Sequence, residues 1–269
     1  MDFINAFILA VVEGVTEFLP VSSTGHLILV ESLLTLGDDP QFTDTFIVII
    51  QLPAILSVCL YFWPTLWPYR EGALHRPTLV LWTKVAAAFI PAAVLGFLLD
   101  DFIETLFDDL VVAIALIVGG IVLIAIERRD HPARVDSLEA LTYPQAIAIG
   151  FFQCLAMIPG TSRSAATIVG GLLLGASRAV AAEFSFFLAI PTMLGATSLK
   201  LYQSGLAFTP LQWQLIALGS VVSFAVAYAV IALFMAFIKK HSFTVFGVYR
   251  IILGIIVLIA LYTMLDPEV

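Results

Sequence analysis

The stretch AFILAVVEGVTEFLPVSSTG (6–25) has an echo at AIAIGFFQCLAMIPGTSRSA (146–165). Each begins as hydrocarbon and ends in a proline followed by small hydroxyl residues. Glu13 falls opposite Gln153, and the two proline–hydroxyl breaks coincide within one residue. Proline cannot donate a helical hydrogen bond, so each break stops a helix inside an otherwise apolar region. The fold is decided by what those breaks are for.

Around them the chain is strongly apolar. It has 269 residues, 61% hydrophobic and 12% charged, with mean hydropathy +1.06. A soluble domain carries roughly 25% charged residues, and no soluble fold of this length buries so much apolar surface. The apolar runs are long and continuous rather than alternating, which excludes a β-barrel. The expected class is an all-α polytopic membrane protein. The start MDFINAFILAVVEG lacks a basic leader and a small-residue cleavage site, so it does not read as a signal peptide. Cys59 and Cys154 lie inside apolar runs and read as small packed hydrophobes, not as disulfide or zinc partners. The net charge of −8 argues against a nucleic-acid partner.

Six runs are long enough to span a bilayer, about 42–63, 79–99, 109–127, 178–200, 213–238 and 247–265. Regions 3–35 and 143–176 are apolar but broken. Arg70 and Arg76, then Arg128, Arg129 and Arg134, then Lys239 and Lys240 mark three loops as cytoplasmic by the positive-inside rule. The acidic loop DDFIETLFDD (100–109) then faces outward. With the spans alternating, region 3–35 must enter and leave on the outer side and region 143–176 on the inner side. Both are expected to be re-entrant helix pairs. The chain divides into a repeat of about 1–130 and a second of about 140–269, each one pair plus three spans. An odd number of crossings inverts the second copy, and broken helices of inverted repeats meet near mid-membrane at a site. Irregular backbone is tolerated at that depth only inside protein or beside a wet cavity.

Each break carries chemistry. Glu13 and Glu17 share a helix face, and an acid at a helix centre costs about 2.5–3.5 kcal/mol on the insertion scale. Snorkelling at a shallow helix end would explain them without function. A metal or acid–base pair is the sharper reading, since Mg²⁺ is held by one or two carboxylates plus substrate phosphates. Ser22, Ser23 or Thr24 can cap the next helix, but three hydroxyls exceed what a cap needs. His26 lies three residues after Ser23 and can serve it as a base, or act itself as nucleophile or acid. In the second break, Gly160 and Thr161 precede a helix start whose free N–H groups form an anion site. Arg163 adds a planar fork suited to phosphate, or else pairs with Glu17 across the repeat interface. Ser162, Ser164 and Thr167 offer further donors. Acids, hydroxyls and histidine on one side and a cationic cradle on the other imply a lipid phosphate as substrate.

Other features are expected to be structural. Pro191 in EFSFFLAIPTMLGA reads as a kink, with Ser185 lining the site as the alternative. Gly170, Gly171, Gly175 and Gly195 are expected to allow close helix packing. Trp63, Trp67 and Trp82 are expected as interfacial anchors, and ERRDHPARVDS as a solvated loop.

EGVTEFLPVSSTGH and IPGTSRSAAT, about 140 residues apart, resemble the two signatures of the bacterial undecaprenyl-diphosphate phosphatases, also called bacitracin-resistance proteins. FSFFLAIPTMLGA is similar to a third family stretch, and the resemblance covers essentially the whole chain. It implies hydrolysis of undecaprenyl diphosphate to undecaprenyl phosphate and inorganic phosphate, which recycles the lipid carrier for cell-wall synthesis. It also implies a divalent metal (Mg²⁺ or Ca²⁺), a polyprenyl diphosphate substrate and a place in the bacterial cytoplasmic membrane. The active site would face the periplasmic side, with a homodimer left open. Roles are implied for Glu13, Glu17, Ser23, His26 and Arg163, and phosphate binding for Ser162 and Thr167. Ala165 departs from the glycine common in the family. The alternative from another class is a lipid-phosphate flippase or transporter on the same inverted repeat. Ser23, His26 and metal-activated water all remain open as the attacking group.

Overall fold

The computed structural model describes the chain apart from residues 32–33, 38–39, 71, 130–132, 205–207 and 266–269. The first half runs α1 (Asp2–Thr16), α2 (Ser23–Glu31), α3 (Pro40–Tyr61), α4 (Trp63–Leu66), a small hairpin of β1 (Tyr69–Arg70) and β2 (Ala73–Leu74), α5 (Arg76–Leu98), α6 (Asp100–Glu104) and α7 (Asp109–Glu127). The second runs α8 (Tyr143–Cys154), α9 (Arg163–Leu173), α10 (Arg178–Ser204), α11 (Pro210–Ile238) and α12 (Thr244–Leu265). Apart from that two-stranded hairpin the described elements are helical, and the protein is of the all-α polytopic membrane class. Among the described residues, six helices are long and apolar enough to cross a membrane: Gln41–Tyr61, Arg76–Leu98, Asp109–Glu127, Arg178–Tyr202, Pro210–Ile238 and Thr244–Tyr262. They match the expected spans within a few residues. α4, the hairpin and α6 lie in connections that the hydropathy pattern leaves blank.

The helix starts carry their own signals. Asp108 accepts from the N–H groups of Leu110 and Val111 at the head of α7. Thr142 and Thr209 each form a reciprocal capping box with the glutamine three residues on. The four helices beside the breaks are short. α1 has 15 residues, α2 9, α8 12 and α9 11. At 1.5 Å per residue even α1 reaches only about 22 Å, less than a bilayer core.

The halves pack reciprocally. α7 lies along α12 and α3 along α10, while α1 packs on α11 and α8 on α5. Small residues set the last two contacts. A Cβ on Gly14 would meet the Ser223 carbonyl and Val226, each at 2.9 Å, and one on Gly150 would collide with the Ala88 backbone. The centre of the core is aromatic: Phe184, Phe186 and Phe187 of α10 are fully buried among residues of both halves. Val118, Val221 and Leu233 are left exposed, as the lipid-facing side of a spanning helix requires.

Three structural expectations need correction. ERRDHPARVDS is not simply solvated. Glu127 has a side chain only 3% exposed and grips Arg178, while the Arg134 and Val135 N–H groups donate to the Gly175 carbonyl. The charge pair between the end of α7 and the start of α10 pins the connection; residues 130–132 of it lie outside the described residues. Trp63 and Trp67 are exposed and stacked, but Trp82 is half-buried, its indole N–H donating to the Leu66 carbonyl at 2.9 Å. Gly170 and Gly171 do sit at close contacts, with Phe152 and Ala181. Gly175 instead ends α9 at φ +88°, and Gly195 has ordinary room beside Phe89.

Candidate active site

The two breaks are built alike. Ser22 (φ 71°) and Ser162 (φ 70°) are the non-glycine residues with positive φ among those described. Such backbone costs on the order of 1–3 kcal/mol and persists only where surroundings enforce it. Each serine caps the helix it precedes: Ser22 Oγ accepts from Gly25 N at 3.3 Å, and Ser162 Oγ from Ala165 N at 3.3 Å. A helix leaves its first N–H groups unpartnered, so α2 and α9 both present donors at the break.

The breaks meet. Ser164 Oγ donates to the Leu19 carbonyl at 2.7 Å, joining the second break to the first. Glu17 follows α1 in helical conformation, its N–H donating to the Glu13 carbonyl. Its carboxylate spans the junction. Oε2 accepts from Ser23 Oγ at 3.0 Å, and Oε1 faces Arg163 Nη2 at 3.4 Å. Arg163 also donates from Nη1 to the Ser185 carbonyl at 3.0 Å, while its buried Nε has no hydrogen-bond partner. Hydroxyl, carboxylate and guanidinium thus stand in a row, drawn from both breaks. Arg163 pairs with Glu17 as one reading of the sequence held, and keeps a free donor as the other required.

Glu13 is fully buried, and neither of its carboxylate oxygens finds a hydrogen-bond partner. Its counterpart Gln153 is 2% exposed and accepts from Thr192 Oγ1 at 3.3 Å, with its Nε2 unpartnered. A buried orphan carboxylate beside Glu17 is an oxygen donor set of the type Mg²⁺ and Ca²⁺ take. These two residues therefore fit a divalent ion.

His26 stands elsewhere than its spacing from Ser23 suggests. Its Nδ1 lies 2.7 Å from the Ser22 carbonyl, so Nδ1 carries the proton, and Nε2 then accepts from the Tyr249 hydroxyl at 2.6 Å. The two rings stack with centroids 5.5 Å apart. Both ring nitrogens are engaged, and Ser23 is hydrogen-bonded to Glu17 instead. The expected histidine–serine pair is not formed, because the ring sits against α12 while the serine turns toward the second break.

Several predicted ligands have supporting contacts. Thr167 Oγ1 bonds Ser185 Oγ at 2.6 Å and donates to the Arg163 carbonyl. Ser162 Oγ lies 3.0 Å from Ser164 Oγ. Ser22, Ser164 and Thr167 are buried; Thr24, Thr161 and Ser162 are half-buried at the junction. Gly160 has φ +87° and lies so close to α7 that a Cβ would meet the Val112 carbonyl at 2.5 Å.

Two residues of α12 complete the site and were missed in the sequence. Tyr249 is the partner of His26. Arg250 is fully buried and directs all five N–H groups at carbonyls. Nε donates to Leu116, Nη1 to Pro20 and Thr161, and Nη2 to Ala115 and Gly160. One guanidinium thereby holds both breaks against α7, and Gly119 lacks a side chain where that guanidinium lies. The signal was an arginine inside the apolar run FGVYRIILG (246–254), which reads as snorkelling until its neighbours are known.

The family model described as bacitracin resistance protein BacA matches residues 6–256. The undecaprenyl-diphosphatase of Fusobacterium nucleatum is 55% identical over 267 residues, covering 95% of this chain and 99% of its own. Undecaprenyl-diphosphatase 1 of Clostridioides difficile is 51% identical, covering 96% of each chain. The undecaprenyl-diphosphatase of Enterococcus faecalis is 46% identical, covering 96% of this chain and 97% of its own.

Proposed function

The chain belongs to the bacitracin resistance protein BacA family, and from that premise we propose that Glu17, Ser23 and Arg163 carry out its chemistry on a lipid diphosphate. The protein is an undecaprenyl-diphosphatase, a membrane hydrolase that releases inorganic phosphate from undecaprenyl diphosphate and returns the lipid carrier to cell-wall synthesis. One observation carries the proposed roles: the Ser23 hydroxyl is 3.0 Å from Glu17 Oε2 while Arg163 faces the other carboxylate oxygen.

Ser23 Oγ attacks the terminal phosphorus as Glu17 takes its proton. The anhydride P–O bond breaks, and the proton passes to the departing undecaprenyl phosphate. Water then attacks phosphorylated Ser23, one of its protons returns through Glu17 to Ser23 Oγ, and phosphate leaves. Proton transfer by a positioned base contributes about 10²–10⁴-fold. Arg163 Nε and the first N–H groups of α9 meet the charge of the transferring phosphoryl group, where one preorganised donor is worth about 10²–10³-fold. His26, locked between Ser22 and Tyr249, orients the turn that bears Ser23. Glu13 and Glu17 would hold a Mg²⁺ or Ca²⁺ ion, which when bound offsets diphosphate charge.

The short α1, α2, α8 and α9 act as two re-entrant pairs of an inverted repeat spanning residues 1–130 and 140–269. The matching strain at Ser22 and Ser162 and the reciprocal packing of α1 on α11 and α8 on α5 support that reading. The basic ends of the spans favour a site open to the outer face of the bacterial cytoplasmic membrane.

The test is rapid quenching of the purified protein with farnesyl diphosphate labelled in its terminal phosphate. Label is expected on Ser23, with Mg²⁺-dependent release of phosphate. Label on His26, or none on protein, would overturn attack by Ser23. Intact lipid binding without any release would leave a flippase instead of a hydrolase.

A further inference from the structure

Away from the breaks, the end of the molecule that the positive-inside rule gives to the cytoplasm has two cavities. One, of about 400 Å³, lies where the hairpin and the start of α5 meet the connection before α8. Its lining includes Arg70, His75, Arg76 and Lys84, with Glu139. The other, of about 380 Å³, is lined by Arg129, Arg178 and Lys239, with Glu127. Their cations are matched differently. In the second cavity Glu127 takes Arg178 by both oxygens, at 2.6 Å from Nη2 and 2.9 Å from Nε. In the first, no ion pair joins a lining cation to a carboxylate among the described residues.

Lys84 makes that difference costly. It is 4% exposed, and its ammonium donates to the carbonyls of Leu138 at 3.2 Å and Glu139 at 3.1 Å. Those bonds satisfy two of three N–H groups but leave the charge uncancelled, and a buried unpaired charge is strongly unfavourable. Arg70 and Arg76 stand exposed at the mouth. The cavity also receives the N-terminus of the 23-residue α5, whose dipole adds to the same field. Beside it Trp63 and Trp67 stack at 4.6 Å, with Tyr69 next to Trp67, all exposed. Trp and Tyr are enriched at the headgroup level of membrane proteins.

We infer that this cavity binds the phosphate headgroup of an anionic phospholipid, held by Lys84, Arg70 and Arg76. The buried ammonium supplies the demand for an anion, and the aromatic cluster places that demand at the depth of lipid phosphates. Basic pockets between helices at the cytoplasmic interface suit such headgroups.

The test uses the full chain in detergent with added phosphatidylglycerol, phosphatidylcholine or inorganic phosphate. Native mass spectrometry counts retained lipid, and thermal unfolding reports binding without any variant. Phosphatidylglycerol should be retained and should raise the unfolding temperature, and phosphatidylcholine should do neither. The double substitution Arg70→Gln and Arg76→Gln should weaken retention about tenfold, as loss of charge-assisted contacts implies, with diphosphate hydrolysis unchanged. Equal retention by the double variant, or no preference between the two lipids, overturns the site. Stabilisation by inorganic phosphate alone, with phosphatidylglycerol displaced, overturns the lipid as its occupant.

Discussion

At the scale of single residues, the site depends on geometry that charge alone does not supply. Arg163 reaches Ser185 and Glu17 through different nitrogens of one planar fork and keeps Nε unpartnered. Arg163→Lys keeps the charge but replaces the planar fork with a compact point charge, so turnover should fall about 10²-fold or more. The check is steady-state phosphate release with circular dichroism to confirm folding; near-wild-type turnover would remove the clamp. Tyr249 gives a milder prediction. Tyr249→Phe keeps the ring stacked on His26 and removes only the hydroxyl that Nε2 accepts. If His26 positions the Ser23 turn, kcat should drop a few-fold with KM nearly unchanged, as for an interaction felt in the transition state. A drop equal to that of His26→Ala would instead make the histidine's role depend wholly on this bond.

At the scale of elements, the breaks are held by close backbone approach. Gly160 combines φ +87° with a Cβ direction aimed at the Val112 carbonyl. Gly160→Ala should destabilise by about 1–3 kcal/mol and lower activity by displacing the start of α9. Gly195→Ala is the control, since its nearest neighbour would be Phe89 at an ordinary 3.6 Å. It lies in a helix interior, where alanine is favoured by about 1 kcal/mol, so it should be neutral or slightly stabilising. Thermal unfolding of both variants in one detergent decides the comparison.

At the scale of the whole molecule, α12 carries the tie between the halves. Arg250 gathers carbonyls from Pro20 in the first break, from Gly160 and Thr161 in the second, and from Ala115 and Leu116 in α7. Arg250→Met fills similar space but leaves the Pro20, Gly160 and Thr161 carbonyls, which lie outside the helices, without that donor. Each unsatisfied buried group costs on the order of 1–3 kcal/mol, so a large loss of folded yield is expected. Arg250→Lys, with three donors, should recover only part. Wild-type thermal stability in Arg250→Met would show that the breaks are held by packing alone.

The sequence by itself determined the membrane class, the six spans and the two breaks. Partition into lipid depends on the summed character of about 20 neighbouring residues, and a proline acts on its own turn. It also picked out Glu17, Ser23 and Arg163, which the structure brings together at the two breaks, because acids, hydroxyls and an arginine beside a helix break stand out in apolar surroundings. Their pairing was decided by tertiary structure alone. Ser23 was expected to face His26 from a spacing of three, yet it bonds Glu17, while His26 turns to Tyr249, 223 positions away. Arg250 was not picked out from the sequence; only the fold shows five carbonyls from three segments around it. Helical spacing places residues on a face; which neighbour that face meets depends on the crossing of helices far apart in the chain, and no local pattern encodes it.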